Sequence, residues 1–289
     1  MRNVLFLSLL LTSYFSFSQS SRFNNYFGPW ADNNPALTGL SDSPRIFANY
    51  RNDYPALSSG TQSTLIAGDL NLNQWNSGVG LTYSGIYMSN GIYRNQECNF
   101  NYAYHLNIGE KSKLSLGMNG GFLVSYIDTA ELNVSGIVEP RVFNPQLDFG
   151  IVYSQKLWLV GASIMNLEGE LGNDYPSTLR LHGAYQYFFN DDWGIGTEGE
   201  WMASDGFYQA NVSLQASFKN FVLGTSLRSR SNFGILTGVS FDRIKFYYSY
   251  LHSTSSLTNS YGNSHELGLR WQFNSSNKLD SNTFNWKFF

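Results

Sequence analysis

The chain has 289 residues and a formal net charge of −3, and charged residues make up 13% of it, against roughly 25% in soluble domains. Aromatic residues reach 17%, yet the mean hydropathy is slightly hydrophilic at −0.26. This balance excludes a strongly basic nucleic-acid-binding protein and is unusual for a soluble domain. It is typical of a transmembrane β-barrel, whose strands carry one apolar face and one polar face.

The N-terminal residues have the features of a secretory signal peptide. Met1-Arg2-Asn3 is a short positively charged start, residues 4–11 are apolar, and Ser16-Phe17-Ser18 places small residues at the positions that signal peptidase recognises. The apolar run is short for a membrane helix, which needs about 20 residues. We therefore predict a signal peptide at residues 1–18, export from the cytoplasm and a mature chain that begins at Gln19.

Two flanking regions lack the alternation found between them. Residues 19–43 are rich in asparagine, proline and aromatic residues, and we expect them to fold into or against the periplasmic mouth of the barrel as a plug segment. Residues 274–289 are mostly polar and form a C-terminal tail. The domain organisation predicted from the sequence is therefore a signal peptide, this N-terminal segment, a barrel over 44–273 and the tail.

Period-two alternation of apolar and polar residues dominates the region from 44 to 273. In residues 211–218 every even position is apolar and every odd position is polar, and residues 265–273 alternate in the same way. This period indicates β-strands, and strands in lipid must close into a barrel because an open sheet leaves backbone groups unpaired. We predict about 14 antiparallel strands, at residues 44–51, 61–71, 76–88, 92–107, 111–126, 145–155, 157–166, 177–189, 193–203, 206–218, 220–230, 232–241, 242–253 and 264–273.

The connections between the predicted strands differ in length. Most are short and contain turn-forming residues, whereas longer ones lie at 127–144, 167–176 and 254–263. In bacterial barrels the short turns face the periplasm and the longer loops face the outside. We therefore expect the three longer loops on the extracellular rim, where a partner protein could bind.

Residue patterns that carry catalysis or bind metals are not evident. His105, His182, His252 and His265 are not spaced as metal ligands, and we expect no metal and no cofactor. Cys98, the single cysteine, alternates with aromatic residues and is interpreted as a small lipid-facing residue. A lipid hydrolase with His105 or His252 at the outer rim is a remote alternative, because no serine partner is defined by spacing.

Glycines and charges inside the predicted strands suggest features of the lumen. Residues 117–121 contain three glycines within one strand, which provide room for curvature or close packing. Several charged residues fall on the polar face of the predicted strands, with His182 opposite Glu200 if their hairpin has a three-residue loop. They form either a solute-selecting constriction or a polar network that fills a closed barrel. These residues are Arg180, His182, Glu198, Glu200, Arg228, Glu266 and Arg270.

Four short motifs, in order along the chain, carry a resemblance to a known family. They are Tyr26-Phe27 followed by Asn34-Pro35-Ala36-Leu37-Thr38-Gly39; Tyr50-Arg51-Asn52; Tyr102-Ala103-Tyr104 leading to Lys113-Leu114-Ser115-Leu116-Gly117; and Gly262-Asn263-Ser264-His265-Glu266-Leu267. With these motifs the chain resembles the PorP/SprF family of Bacteroidota outer-membrane proteins, which are associated with type IX secretion and gliding. The sequence departs from the family pattern at residues 28–33.

The resemblance implies a role in binding other proteins. It implies a non-enzymatic barrel that helps to secrete or anchor a cell-surface protein, such as an adhesin with a type B C-terminal domain, or that contacts type IX secretion components in the periplasm. Asn34, Pro35, Ala36, Gly39, Arg51, His265 and Glu266 are the motif residues expected to support the fold or contact a partner. An outer-membrane diffusion channel or solute transporter, surrounded by lipid in the same way, is the alternative function.

Overall fold

The protein is a closed antiparallel barrel. The computed structural model describes Phe23 and residues 30–57, 60–128, 141–167, 176–229, 232–253 and 262–273. Each of the 14 strands pairs with its neighbours in the chain, and the first strand closes the barrel against the last. The strands are β1 Arg45–Asp53, β2 Thr61–Leu72, β3 Ser77–Met88, β4 Tyr93–Asn107, β5 Ser112–Ile127, β6 Arg141–Gln155, β7 Trp158–Met165, β8 Thr178–Phe188, β9 Trp193–Ser204, β10 Phe207–Phe218, β11 Phe221–Arg228, β12 Asn232–Phe241, β13 Ile244–Ser253 and β14 Ser264–Gln272.

The prediction of a closed barrel with 14 strands is confirmed, and one strand boundary is wrong. Strand β6 begins at Arg141 instead of residue 145, so the predicted loop at 127–144 is shorter than expected. Pro145 lies inside β6, although proline has no N–H group to donate to a sheet. In the described residues β6 pairs with β7 up to Phe149, so Pro145 lies where the strand is bonded to β5 alone.

Alternation separates a lipid-facing outer wall from a polar inner wall. In β10, Val212 and Leu214 are each 55% exposed on the outside, whereas Asn211 is 1% and Ser213 is 4% exposed on the inside. The same division is found in other strands: in β4, Phe100 is 54% exposed on the outside and Asn101 is fully buried on the inside. A wall of this kind suits a hydrocarbon environment, where the closed ladder also satisfies every strand's backbone groups.

The two rims of the barrel are distinguished by their connections. The chain enters β1 and leaves β14 on one rim, and the turns there are two to four residues long. The three longest connections, 128–140, 166–177 and 254–263, lie on the other rim. By the rule for bacterial barrels the first rim is periplasmic and the second is extracellular.

The described residues directly before β1, 30–43, lie inside the barrel. A short helix α1 (Trp30–Asn33) and a single 3₁₀ turn (Pro35–Leu37) lead to the start of β1, and we call residues 30–43 the plug. Asn34, Ala36 and Thr38 in the plug are fully buried. No helix among the described residues is long and apolar enough to span a membrane. The predicted signal peptide, most of residues 19–29, the tips of the three long loops and the tail lie outside the described residues.

Candidate functional site: the plugged lumen

The Asn-Pro-Ala-Leu-Thr-Gly motif forms a compact turn that fits inside the lumen. Asn34 is in an extended conformation and its Oδ1 accepts a hydrogen bond from Ala36 N at 2.9 Å, which caps the 3₁₀ turn. Pro35 occupies the first position of the turn, where its missing N–H is not needed. Gly39 ends the motif at φ +65°, a left-handed conformation that favours glycine. The motif therefore encodes the turn itself.

Glycines in three strands, β3, β5 and β6, make room for the plug. A β-carbon on Gly117 of β5 would overlap the backbone of Pro35 and Ala36. A β-carbon on Gly150 of β6 would overlap the Asn34 side chain, and one on Gly78 of β3 would overlap the Thr38 carbonyl. The plug backbone therefore lies directly against the inner wall. The prediction that the glycines at 117–121 allow close packing is confirmed for Gly117.

The start of the plug is bonded to β6, β7 and β8. Asn34 Nδ2 donates to the carbonyl oxygens of Ile151 at 3.3 Å and Ala162 at 2.9 Å, and so bridges β6 and β7. Ser163 Oγ donates to Asn33 O at 3.0 Å. Arg180 Nη1, on β8, donates to the backbone oxygen of Asp32 at 2.8 Å. These bonds attach α1 and the turn to one side of the lumen.

The middle of the plug is bonded to the adjoining strands β4 and β5. His105 Nε2 lies 3.1 Å from Thr38 O, and its Nδ1 lies 2.8 Å from Ser115 Oγ. Because a carbonyl oxygen only accepts, Nε2 carries the hydrogen and donates to Thr38. In the neutral ring Nδ1 then accepts from the Ser115 hydroxyl. His105 therefore connects β4, β5 and the plug.

A buried ion pair holds the glycine at the end of the motif. Gly39 N donates to Asp69 Oδ2 at 2.6 Å, and the same carboxylate is paired with Arg45. Arg45 Nε donates to Asp69 Oδ1 at 2.8 Å, and the two side chains are each 7% exposed. Asn71 Nδ2 donates to Gly39 O at 2.7 Å. Both backbone polar atoms of Gly39 thus have partners, as buried groups require.

Apolar side chains seal the plug against the wall. Three of them belong to the plug, and inward-facing residues of eight strands surround them, with Phe23 in the same cluster. Dispersion contacts and the exclusion of water stabilise this packing as in the core of a soluble protein. The cluster contains Phe23, Ala36, Leu37, Leu40, Phe47, Leu65, Ala67, Val152, Leu159, Ala184, Val222, Leu236 and Tyr247, with Phe188 packed against it.

The charged residues predicted for the lumen all face inward. Glu198 accepts from Ser213 Oγ at 2.7 Å, and Glu200 accepts from Asn211 Nδ2 at 3.0 Å. His182 of β8 lies opposite Glu200 of β9 in the strand register, and the hairpin between them has the expected three-residue loop. Arg270 is 4% exposed.

Two of these charged residues reach the N-terminal segment. Arg228 Nη2 donates to Phe23 O at 3.3 Å, and Arg180 bonds Asp32. This geometry favours the interpretation of a network that fills the barrel over that of an open constriction.

Two family motifs lie side by side where the barrel closes. Arg51 of β1 is paired in register with Glu266 of β14, and both face the lumen. Arg51 Nη2 lies 2.7 Å from Asp53 Oδ1. Glu266 Oε1 accepts from Asn49 Nδ2 at 3.0 Å and from Tyr247 Oη at 2.8 Å. The Tyr-Arg-Asn and Ser-His-Glu motifs therefore form the closing seam.

His265, a candidate residue of the last motif, faces outward. Its Nδ1 lies 2.7 Å from Tyr248 Oη, and its ring packs edge-on against Tyr250 with centroids 5.5 Å apart. The other candidate motif residues are buried inside the barrel: Asn34, Pro35, Ala36 and Gly39 in the plug, and Arg51 and Glu266 at the seam. The outer face at the seam is thus aromatic and the inner face is charged.

Of the two histidines of the hydrolase alternative, His105 lies away from the outer rim and His252 lies at it. His105 lies near the periplasmic end of β4, is 5% exposed and points into the lumen, so it is not an outer-rim residue. Its inward position follows from the period of the strand, in which the odd residues face the lumen. His252 is on the outer face and its Nδ1 lies 2.9 Å from Asn263 Oδ1. Cys98 faces outward beside Phe100, as interpreted from the alternation.

Several residues that hold the plug were missed by the sequence analysis. Asp69, Asn71 and Arg45 attach Gly39, and Gly78 and Gly150 make room for the motif. A weak signal existed, because each of them is a polar residue or a glycine within a predicted strand. Nothing in the spacing indicated which of them would contact the plug. Among the described residues, no group of three or more His, Cys, Asp or Glu side chains is arranged to hold a metal ion.

A closed 14-strand barrel with an apolar outer wall and a polar inner wall is an outer-membrane β-barrel protein. The chain belongs to the family of the type IX secretion system membrane protein PorP/SprF, whose family model matches residues 15–271. The family expected from the four motifs is thereby confirmed, and so is the outer membrane as the location. No curated protein matches the sequence.

Solved barrels share the fold at low sequence identity. The Acinetobacter baumannii outer membrane protein Omp33 is 9% identical, with a TM-score of 0.52 over 82% of this chain and 100% of that one. A Pseudomonas aeruginosa FadL homologue is 10% identical, with a TM-score of 0.53 over 89% and 100%. The Ralstonia pickettii toluene transporter TbuX is 10% identical, with a TM-score of 0.51 over 89% and 96%. At these identities the likeness concerns the fold alone.

Proposed function

We propose that this chain is a non-enzymatic outer-membrane component of type IX secretion that helps to secrete or anchors a cell-surface protein. One observation carries the proposal: the plug and the charged network occupy the lumen, so the barrel is built as a filled scaffold. A filled scaffold is suited to holding a partner protein at its rims. An adhesin with a type B C-terminal domain is the kind of partner that the family implies.

The extracellular rim is the proposed contact surface for that secreted partner. The connections 128–140, 166–177 and 254–263 provide most of the chain on that rim, while the periplasmic turns are too short to form a large surface. Stable protein interfaces bury about 800 Å² on each partner, which requires extended loops of this kind. Periplasmic components of the secretion system are proposed to meet the opposite rim, where the chain enters β1.

The proposal is tested in cells that lack the gene and produce a type IX-secreted surface protein. We expect that surface protein to appear in the medium if this barrel anchors it, or to stay in the periplasm if the barrel helps to export it. The full chain restores surface display, whereas a variant in which residues 254–261 are replaced by a Gly-Ser linker folds but restores less. Unchanged surface display in the deletion strain would refute the proposal.

A transporter is the second candidate, and the fold neighbours favour it. The solved structures of similar fold include the toluene transporter TbuX and the monoaromatic hydrocarbon channel CymD, with TM-scores of 0.51 and 0.53. In planar bilayers the filled scaffold predicts no step-like conductance, and in proteoliposomes it predicts no uptake of toluene. Step-like conductance or toluene uptake by the wild-type protein would favour the transporter instead.

A further inference from the structure

Two arginines flank a tyrosine on the outer wall at the extracellular end of the barrel. Arg94 of β4, Tyr126 of β5 and Arg141 of β6 are paired in register across the three strands. All three alternate with inward-facing residues such as Asn95 and Ser125, and so face outward. We call Arg94, Tyr126 and Arg141 the rim arginine row.

The side chains of the row are close and partly fixed. The Cζ atoms of Arg94 and Arg141 lie 5.6 Å and 5.1 Å from the centre of the Tyr126 ring. Arg94 Nε donates to Gly91 O at 2.6 Å, which fixes the plane of its guanidinium group. Its Nη2 is 3.6 Å from Asp128 Oδ2, while 43% of the Arg94 side chain stays exposed. The row therefore holds two cations near each other without burying them.

The row lies where the apolar wall ends. The next outward residues on the membrane side of it are Gln96 on β4, Val124 on β5 and Phe143 on β6, and Cys98 and Phe100 follow Gln96. Strands β4, β5 and β6 have 15, 16 and 15 residues, while β7 and β11 have 8 each, so the row projects to the top of the wall. Tyrosine and arginine at this depth are at the level of lipid headgroups.

The positive charge of the row is specific to this part of the wall. Among the described residues, the other lysines and arginines face the lumen or lie at the periplasmic rim. Next to the row, Gln96 Nε2 donates to Tyr83 Oη at 3.2 Å and to Tyr87 Oη at 3.1 Å. A cavity of about 260 Å³ lies beside them, lined by Gly60, Gln62, Tyr87, Asn90, Gly91 and Arg94. Polar side chains and space for a polar group thus adjoin Arg94.

We propose that the rim arginine row binds the phosphate group of an anionic glycolipid of the outer leaflet. Each guanidinium group can donate two parallel N–H bonds to a phosphate, and Tyr126 lies between the two groups in register. A lipid is the favoured source because the row faces sideways from the wall at headgroup depth, where lipid is the immediate neighbour. The acyl chains would lie on the apolar wall below.

The test uses the full barrel in phosphatidylcholine nanodiscs with a small fraction of monophosphorylated lipid A, and native mass spectrometry to count retained lipids. We expect the wild type to retain the phosphorylated lipid about tenfold more than the same lipid after phosphatase treatment. Arg94→Ala/Arg141→Ala should remove that preference, and Arg94→Lys/Arg141→Lys should keep part of it. Arg243→Ala is the matched control, because Arg243 is 48% exposed and 3.5 Å from Asp242 on the periplasmic rim.

Three results would overturn the proposal. The double alanine variant, shown to be folded by its slower migration in unheated gels, could retain the phosphorylated lipid as the wild type does. The dephosphorylated lipid could bind equally well. Inorganic phosphate alone could raise the melting temperature of the wild type and not that of the double variant, which would make the row a site for the free ion. A loss of preference in the double variant together with none in Arg243→Ala would support the lipid site.

Discussion

The side chain of Asn34 in the plug lies directly over Gly150 of β6, so that a β-carbon at position 150 would overlap Asn34 Oδ1. The same amide caps the turn at Ala36 and bridges β6 and β7. One asparagine therefore determines the local shape of the plug and also its position in the barrel. Position 150 must be glycine because of this contact with Asn34, and not because of the backbone conformation of the strand.

Gly117→Ala is expected to loosen the plug. The added methyl group overlaps the backbone of Pro35 and Ala36, which cannot move without breaking bonds to the wall. We expect transient conductance in planar bilayers and faster proteolysis of the N-terminal segment. Gly120→Ala is the control, because Gly120 is on the same strand and a β-carbon there meets nothing within 4 Å. Equal behaviour of the two variants would show that the close contact between Gly117 and the plug is unimportant.

Asn34→Ala is expected to destabilise the barrel by about 1–3 kcal/mol, the cost of leaving buried polar groups without partners. Asn34→Asp keeps the acceptor for Ala36 N but cannot donate to the Ile151 and Ala162 carbonyls. We therefore expect the aspartate variant to be no more stable than the alanine variant. Urea unfolding in lipid vesicles, followed by tryptophan fluorescence, measures both. An aspartate variant as stable as the wild type would show that the two donated bonds are unimportant.

Arg51 and Asp53 form a buried ion pair, with side chains 7% and 8% exposed. Arg51→Met should be strongly destabilising, by about 3–5 kcal/mol, because it leaves a buried carboxylate without its partner. Arg51→Met/Asp53→Asn should recover part of that loss, since the uncompensated charge is gone. The double-mutant cycle is measured by urea unfolding. Arg243→Ala, which breaks an exposed pair with Asp242, should change little, and additive effects at Arg51 and Asp53 would argue against coupling.

Cys98 tests the direction of the β4 side chains. Because it faces outward within the apolar wall, an uncharged maleimide that partitions into lipid should label it, and a charged maleimide should not. Ala103 on the same strand is fully buried on the inner face. In a Cys98→Ser background, Ala103→Cys should therefore resist both reagents while the plug is in place. Fast labelling of Cys98 by the charged reagent would place it outside the lipid region.

The strands were predictable because their signal is local. In β10 and β14 the change of side-chain polarity at every residue follows directly from a wall with lipid on one side and polar groups on the other. The error at β6 has the opposite origin. Whether Pro145 interrupts a strand depends on which neighbour bonds to it, and that is a property of the assembled sheet.

The candidate site was predictable only in part. The Asn-Pro-Ala-Leu-Thr-Gly motif was identified as a candidate, and its turn follows from the preferences of Asn34, Pro35 and Gly39 for their positions. Its partners were not identifiable, because Asp69, His105 and Gly150 come from three strands distant in the chain. A polar residue on the inner face gives the same alternation in the sequence whether its side chain bonds the plug, another strand or water.

The sequence by itself determined that this protein is a barrel with about 14 strands and that it belongs to the type IX secretion membrane proteins. Alternation and short motifs consist of residues that are close together in the chain, so they can be recognised without the structure. Only the tertiary structure decided that the lumen is filled, that Arg51 and Glu266 meet at the seam, and that Arg94 and Arg141 flank one tyrosine. These relationships depend on the register between strands. Register is set by the hydrogen-bonded ladder around the whole barrel, and no single segment of the chain contains it.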